Sequence, residues 1–266
     1  MTRAGWRLSS VALDLVDRVR GRRDPLVPPR RLLTRDYSDF ERIGRRFRDY
    51  FVELGGLEPG DRVLDVGCGV GRMAVPLIGY LSERGSYEGF DVVPREVEWC
   101  RRQITARRPD FRFRLVDVRN ARYNPSGAIA ATELDWPYPD ASFDFVVATS
   151  VFTHLRPDAA DRYLGEAARV LRPGGAVFGT WFLLDELTRG LAAAGRSHYS
   201  FENADGPAWS TGAEVFEDAV AYELDFVRAA HDRHGLPIET LRRGEWSGAP
   251  DPMTWQDVVV GRRAAG

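Results

Sequence analysis

The chain has 266 residues, of which 44% are hydrophobic, and it carries a formal net charge of −2 at pH 7. That length suits one large α/β domain with additions, and the charge gives no general attraction to nucleic acid or to an anionic membrane. All 37 basic residues are arginine and only two cysteines are present, which excludes lysine Schiff-base chemistry, a disulfide framework and a cysteine-based zinc site.

No stretch of the sequence approaches the roughly 20 apolar residues that a membrane-spanning helix needs. Charged residues also interrupt the N-terminal 25 residues, so no signal peptide is expected there. We therefore expect a soluble, cytoplasmic protein without a membrane span.

The N-terminal part is predicted to be helical. Apolar residues recur at helical spacing within residues 6–19 and again within residues 36–54. Prolines and glycines separate these two patterns from each other and from the first strand. We interpret residues 1–56 as a helical extension that precedes a domain at 57–266.

After the extension, predicted strands and helices alternate. This order is typical of a mainly parallel sheet that helices cover on both faces. The predicted strands are residues 63–66, 86–92, 111–116, 143–149 and 176–181. One predicted helix follows the first strand and its glycines and ends at residue 81, and the other two span residues 95–107 and 159–171.

The C-terminal part is predicted differently. Residues 219–234 have the pattern of a helix, and residues 238–243 and 257–261 have the pattern of strands. No helix separates these two strands, so we expect them to pair antiparallel. The long stretch 182–217 is predicted to be irregular, and such length in a compact domain usually indicates a functional loop.

A glycine-rich run follows the first predicted strand. Asp65 lies within the strand, and Gly67, Gly69 and Gly71 follow at alternate positions, with Cys68 as a small residue inside the loop. Glycine tolerates positive φ and lets a ligand approach the backbone closely. A dinucleotide loop would need its third glycine at Arg72, so a nicotinamide-dependent oxidoreductase is disfavoured.

This run resembles motif I of the class I S-adenosylmethionine-dependent methyltransferases. Residues 143–155 resemble the fourth-strand motif of that family, and residues 169–175 resemble the segment before its fifth strand. The resemblance covers about residues 57–182. It implies a Rossmann-like, doubly wound sheet of seven strands, mostly parallel with the last strand antiparallel, and S-adenosylmethionine as the cofactor.

The resemblance also implies which residues hold the cofactor. The glycine backbone passes the methionyl group, and Asp65 helps to hold the loop and the cofactor amino group. Asp91, at the end of the second strand, accepts bonds from the ribose hydroxyls, and Val92 packs against the adenine. Asp117 binds the adenine amine, or Asn120 or a later polar residue takes this role, and the Val118 amide binds the edge of the adenine ring.

Polar residues after the fourth strand point to the reacting centre. Ser150 is expected beside the cofactor, and His154 is the first candidate for a general base, with a structural role as its alternative. His198, in the stretch 182–217, is the second candidate. His231 and His234 are three residues apart without a visible third ligand, so they are interpreted as a solvated face and no metal site is expected.

The acceptor is predicted from weaker signals. Residues 150–153 lack the Asn/Asp-Pro-Pro-Tyr/Phe motif of enzymes that methylate nucleic-acid adenine, and no nucleic-acid partner is expected. Aromatic residues in 182–217 favour an apolar or ring-shaped acceptor. We predict methylation of a hydroxyl on a small molecule or glycan; the alternatives are transfer to nitrogen or carbon of a natural product, or a non-catalytic cofactor-binding module.

Overall fold

A sheet of seven strands forms the centre of the computed structural model, which describes residue 14 and residues 24–33, 39–212 and 214–265. Its strands are β1 (Arg62–Val66), β2 (Ser86–Asp91), β3 (Phe111–Leu115), β4 (Phe143–Ala148), β5 (Leu171–Trp181), β6 (Ile238–Arg242) and β7 (Asp257–Arg262). They lie in the order β6-β7-β5-β4-β1-β2-β3. β7 is antiparallel to both neighbours and the other pairs are parallel, so the predicted fold class is confirmed.

Helices cover both faces of this sheet. The helices whose bounds lie within the described residues are α1 (Phe40–Glu53), α2 (Ala74–Leu77), α3 (Pro94–Cys100), α4 (Pro157–Val170), α5 (Glu186–Ala193) and α6 (Leu224–Arg233). α1, α2 and α3 bury their apolar side chains in one hydrophobic cluster with the sheet, whereas α4 and α6 belong to the cluster on the opposite face. Of these helices, α5 belongs to neither hydrophobic cluster of the central sheet. Because β4 is covered on both sides, nearly all of its residues are buried.

The helical extension shares this core. In α1 the ring of Phe51 is fully buried and lies 4.9 Å from the ring of Phe178 in β5 and 5.8 Å from that of Phe145 in β4, measured between centroids. Most of the predicted helical pattern at residues 6–19 lies outside the described residues. A division between residues 56 and 57 stays a prediction.

Two of the predicted helices are shorter or less regular than expected. The helix after β1 is α-helical only over α2, and the chain continues in turns up to Leu81, whose amide donates to the Leu77 carbonyl at 2.9 Å. The helix after β2 continues beyond α3 as a π-helical segment, Arg101–Thr105. Both differences leave the strands of the central sheet in place.

The prediction for residues 219–223 was wrong. Val220–Glu223 is a strand, and α6 begins only at Leu224. The strand lies in a second sheet with Leu183–Leu184, Ala208–Ser210 and Asn203–Asp205. Residues 220–222 are buried in the second sheet, and a short apolar run of this kind is equally consistent with a buried strand and a buried helix.

The stretch 182–217 was also predicted wrongly as irregular, since it contains α5 and three strands of the second sheet. Asn203–Asp205 and Ala208–Ser210 form an antiparallel hairpin whose turn includes Gly206 at φ +57°. An Asp-Gly pair between short strand-forming runs is a known hairpin signal. Within the described part of the chain, no helix is both long and apolar enough to cross a membrane.

Candidate active site

A cavity of about 330 Å³ opens at the carboxyl ends of the central strands. This is the position at which parallel α/β sheets bind their ligands. Most of the predicted site residues line it: Asp65, Gly67, Cys68, Gly69, Asp91, Val92, Val118, Ser150 and His154. The other predicted residues, Gly71, Asp117 and His198, are not part of its lining.

The glycine run forms the tight turn that the sequence predicted. Gly67 and Gly69 have φ of +69° and +51°, conformations that other residues rarely adopt. A Cβ on Gly67 would lie 2.7 Å from Cγ2 of Val151. Gly71 instead faces α3 and the segment after it, because its Cβ would lie 2.5 Å from Cδ1 of Ile104; its role is helix packing.

Cys68 is a buried spacer within this turn. A Cβ on Gly89 of β2 would lie 2.9 Å from the Cβ of Cys68, so the side chain fills the space above that glycine. Burial raises the pKa of the Cys68 thiol well above its usual range. The thiol therefore stays protonated, which argues against nucleophilic use.

Asp65 brings a buried carboxyl group to the cavity. The Tyr87 hydroxyl donates a hydrogen bond to Oδ2 of Asp65, and Oδ1 finds no partner among the described residues. Burial raises the pKa of Asp65 to about 7. An unpartnered buried carboxyl oxygen is costly, so this atom is suited to a cationic or hydrogen-donating ligand group.

Asp91 holds the glycine turn at the end of β2. Its Oδ2 accepts a hydrogen bond from the Gly69 amide at 2.8 Å, and its Oδ1 accepts one from the Val93 amide at 2.9 Å. Burial raises the pKa of Asp91. A carboxylate oxygen has a second lone pair, so both oxygens can still accept hydroxyl groups from a ligand in the cavity.

Asp117 lies outside the cavity, contrary to the expected adenine contact. Its exposed side chain accepts a bond from Nδ2 of Asn124 at 3.2 Å. Val118 and Asn120, the alternatives considered for this part of the site, both line the cavity. A short parallel strand pair, Val118–Arg119 with Ile129–Ala130, follows Asp117, and the Asp117 carbonyl accepts a hydrogen bond from the Ile129 amide at 3.0 Å.

Sequence reasoning missed Arg72, Glu96 and Tyr123, which also line the cavity. Glu96 lies in the first turn of α3, with Oε2 3.5 Å from the position that a Cβ on Gly69 would occupy. Burial and the nearby charge of Asp91 raise the pKa of Glu96 to about 7. The sequence signal for Glu96 was its position as an acidic residue five positions after Asp91, the candidate for ribose binding.

His154 presents a well-defined face to the cavity. Its Nδ1 lies 2.8 Å from the carbonyl oxygen of Glu217, and because a carbonyl only accepts, Nδ1 must carry the proton in the neutral ring. The other nitrogen, Nε2, therefore carries no proton and can accept a hydrogen bond, and it lies 3.4 Å from the hydroxyl oxygen of Tyr123. Burial lowers the pKa of His154, so the imidazole is neutral at pH 7.

Ser150 links the cavity to β5 and β7. It adopts φ +55°, its amide donates to Oγ1 of Thr180 at 2.7 Å, and its hydroxyl donates to Oε1 of Gln256 at 3.0 Å. A non-glycine residue held at positive φ often marks a functional position. The Ser150 hydroxyl is thus hydrogen-bonded within the protein, while the residue lines the cavity.

His198 and the aromatic residues of 182–217 lie elsewhere. The exposed His198 ring contacts Trp255, with centroids 5.1 Å apart. Phe182 and Phe201 pack against Trp246 in a separate hydrophobic cluster. Of the described residues in 182–217, none lines the cavity. Their aromatic character is therefore explained by packing.

The interpretation of His231 and His234 as a solvated face was wrong for His231. His231 is buried, its Nδ1 lies 2.9 Å from the Leu236 carbonyl, and burial lowers its pKa to about 4. His234 bonds Asp161 through Nε2 at 3.0 Å. Across the described ranges, no three His, Cys, Asp or Glu residues cluster in a way that could hold a metal ion.

Residues 63–175 match the family of methyltransferase domains. A 27-O-demethylrifamycin SV methyltransferase from Amycolatopsis mediterranei is 29% identical over 73% of this chain and 76% of its own length. A sterol 24-C-methyltransferase from Schizosaccharomyces pombe is 29% identical over 60% of this chain and 38% of its own. A tRNA N(3)-cytidine methyltransferase from Danio rerio is 28% identical over 47% of this chain and 33% of its own.

The chain thus spans about three quarters of the first relative and well under half of the other two. A SAM-dependent methyltransferase structure from Methanosarcina mazei covers 83% of this chain and 97% of its own, with a TM-score of 0.53 and 18% identity. That likeness concerns the fold.

The sheet order, the glycine turn and the acid after β2 define a class I methyltransferase domain with a Rossmann-like fold. The chain therefore carries an S-adenosylmethionine-dependent methyltransferase domain over residues 63–175, and S-adenosylmethionine is the cofactor of that domain. The residues present fit that cofactor, because a buried oxygen of Asp65 has no partner among the residues that the structure describes and Gly67 and Gly69 carry no side chains.

Proposed function

We propose that the protein methylates a hydroxyl group of a small molecule or glycan, with His154 as the general base. The observation that carries this proposal is the direction of the His154 ring. Its Nδ1–H is used by the Glu217 carbonyl, so its lone pair at Nε2 faces a cavity at the carboxyl ends of the strands. A hydroxyl group must lose its proton during methyl transfer, and a neutral imidazole near its working pH is suited to accept it.

The cofactor residues are proposed on the same geometry. Gly67 and Gly69 would pass the methionyl group, Asp65 would bind the amino group through its unpartnered oxygen, and Asp91 would accept the ribose hydroxyls. Val92 would pack on the adenine and the Val118 amide would bind its ring edge. When bound, S-adenosylmethionine supplies a methyl group that is electrophilic because it is attached to a sulfonium.

The chain's own residues then position the acceptor and take its proton. His154 accepts the hydroxyl proton at Nε2, and its orientation is held by the Glu217 carbonyl. General-base assistance of this kind contributes about 10²–10⁴-fold to a rate. Alignment of the acceptor within the cavity supplies a further part of the acceleration.

The relatives support a hydroxyl acceptor to different extents. The relative that is matched over 76% of its own length is named for an O-demethylated substrate. Those named for a sterol carbon and a tRNA nitrogen are matched over 51% of their own length or less. An amine acceptor can be methylated through a lone pair that is already free. The outward lone pair of His154 therefore favours oxygen over nitrogen.

The test is methyl transfer from labelled S-adenosylmethionine to a panel of alcohols, sugars, amines and transfer RNA. We expect label only in products with a new O-methyl group, identified by mass spectrometry of the purified product. Label on a nitrogen or carbon atom, or in transfer RNA, would contradict the proposal. Cofactor binding without transfer to any acceptor would instead favour a non-catalytic binding module.

A further inference from the structure

The segment between β3 and β4 places a tyrosine over the candidate base. Tyr123 lines the cavity although 44% of the residue is exposed to solvent. Its ring meets the His154 imidazole edge to face, with centroids 5.4 Å apart and an angle of 85° between the planes. The Tyr123 hydroxyl oxygen lies 3.4 Å from Nε2 of His154.

The direction of this hydrogen bond follows from the other side of the ring. Because the Glu217 carbonyl fixes the proton of His154 on Nδ1, Nε2 can only accept, and the Tyr123 hydroxyl must donate. Partial burial raises the pKa of Tyr123, so its hydroxyl keeps its proton at neutral pH. Tyr123 thus makes the contact that a substrate hydroxyl would need.

Asn120 holds this arrangement from below. Its Oδ1 accepts hydrogen bonds from the amides of Arg122 and Tyr123 at 3.1 and 3.0 Å. Its Nδ2 donates to the backbone carbonyl of His154 at 2.9 Å. The Asn120 side chain therefore holds the backbone of Arg122 and Tyr123 and the backbone of His154 together. The Tyr123 ring itself stays partly exposed.

A second connection ties the tyrosine turn to the segment that orients the histidine. Arg122 forms an ion pair with Asp218, the residue after Glu217. The Arg122 guanidinium also lies 5.5 Å from the centre of the Tyr123 ring. The donor of the hydrogen bond and the carbonyl that fixes the tautomer are thus joined outside the cavity.

We propose that Tyr123 is a positioning residue that holds the acceptor's place: its hydroxyl donates to His154 Nε2 in the free enzyme, and the acceptor hydroxyl replaces it on binding. This inference rests on the proposed function, which makes His154 the base. The ring can leave Nε2 by side-chain rotation, since the bonds to Asn120 involve only the backbone of the turn. That rotation also gives up the interaction of the Tyr123 hydroxyl with the Arg122 guanidinium. Before the acceptor arrives, the lone pair of the base is protected from water.

The charges that face His154 are Arg122, which disfavours the imidazolium, and Asp218, which favours it. Both remain when Tyr123 is changed to phenylalanine, so that variant removes the hydroxyl and keeps the ring. A donor to Nε2 stabilises the neutral imidazole. Its removal should therefore raise the pKa of His154, by about half a unit to one unit, the equivalent of one ordinary hydrogen bond.

The experiment is ¹⁵N NMR of the histidine rings in the full chain without acceptor, titrated with pH. It compares wild type, Tyr123→Phe and the matched control Tyr199→Phe, a tyrosine outside the cavity lining. The His154 signals are assigned by their loss in His154→Gln. We expect Nδ1 to be protonated in wild type, and Nε2 to move toward the position of a free lone pair in Tyr123→Phe alone.

Identical Nε2 shifts and pKa values in wild type and Tyr123→Phe would overturn the proposal, as would a proton on Nε2 in wild type. Unchanged signals from His198, His231 and His234 show that the variant is folded. The proposed function is tested separately. If His154→Gln transfers methyl groups at full rate, His154 is not the general base, and the proposed role of Tyr123 is overturned as well. If His154→Gln loses methyl transfer but Tyr123→Phe leaves the His154 NMR signals unchanged, only the proposed role of Tyr123 is overturned.

Discussion

The two sides of the cavity are built in different ways. On the side assigned to the methyl donor, the contacts come from a short run of backbone around Gly67 and Gly69 and from Asp91 at the end of the adjacent strand. On the side assigned to the acceptor, Tyr123, His154 and the Glu217 carbonyl come from three separate segments. The proposed donor site is thus formed by segments with local sequence motifs, whereas the proposed acceptor site depends on how loops that are distant in sequence pack together.

The largest expected effect tests the acceptor side. His154→Gln keeps a polar side chain of similar size but cannot take a proton, so we expect turnover to fall about 10²–10⁴-fold. The matched control is His198→Gln, because that ring lies outside the cavity. Steady-state rates with a hydroxyl acceptor measure both. Equal rates for His154→Gln and wild type would return this histidine to a structural role.

The next effect tests the donor side. Asp91→Ala removes a carboxylate that holds the glycine turn and has free lone pairs for the ribose. We expect the affinity for S-adenosylhomocysteine, the demethylated cofactor, to fall at least about tenfold, since a hydrogen bond to a charged group is worth about 1.5–3 kcal/mol.

Asp117→Ala is the matched control for that variant. It removes a carboxylate just after the neighbouring strand, but one that lies outside the cavity. Isothermal titration should find its affinity close to that of wild type. If Asp117→Ala weakened binding as much as Asp91→Ala, the adenine contact expected from the sequence would be reinstated.

These two aspartates also indicate how far the sequence could be interpreted. The donor side follows from residues close in sequence, because a strand, a glycine turn and a helix start fix the local backbone. Asp117, expected from the sequence at the adenine, lies outside the cavity lining, next to the pairing of Val118–Arg119 with Ile129–Ala130. That pairing depends on a contact between segments and has no local motif.

The acceptor side was less predictable for the same physical reason. His154 could be proposed because it follows a recognisable strand, but its tautomer depends on the Glu217 carbonyl, 63 positions away. Tyr123 lies in a segment without a motif. The apolar residues of Val220–Glu223 suit a buried helix and a buried strand equally, and only the partner strands of the second sheet decide between them.

A pH titration of cofactor binding tests which carboxyl group on the donor side binds the amino group of the cofactor. Burial raises the pKa of Asp65 to about 7, and a cationic amino group binds the deprotonated form. Affinity for S-adenosylhomocysteine should therefore be full above that pKa and fall by up to about tenfold for each pH unit below it.

Asp65→Asn should weaken binding at pH 8 and flatten this dependence. Glu96, whose pKa is also raised to about 7, is examined separately by Glu96→Gln. If the slope were unchanged in Asp65→Asn and lost in Glu96→Gln, the amino-group contact would belong to Glu96.

The smallest expected effect is a difference in unfolding free energy between two glycine variants. It separates crowding at Gly67 from the strain of a left-handed backbone. Gly67→Ala places a Cβ 2.7 Å from Val151 at positive φ, whereas Gly174→Ala has positive φ with open space around it. Both should lose about 1–2 kcal/mol of unfolding free energy from the left-handed backbone, and Gly67→Ala about 1 kcal/mol more from crowding. Denaturant unfolding measures the difference, and equal losses would show that the Val151 contact relaxes freely.

The division between donor and acceptor sides is tested most directly by the dissociation constant of S-adenosylhomocysteine in wild type, Asp91→Ala and His154→Gln, measured side by side. We expect at least about tenfold weaker binding in Asp91→Ala and an unchanged constant in His154→Gln. Weakening of the same size in both variants would contradict separate sides. An unchanged constant in Asp91→Ala would remove the donor site from the end of β2.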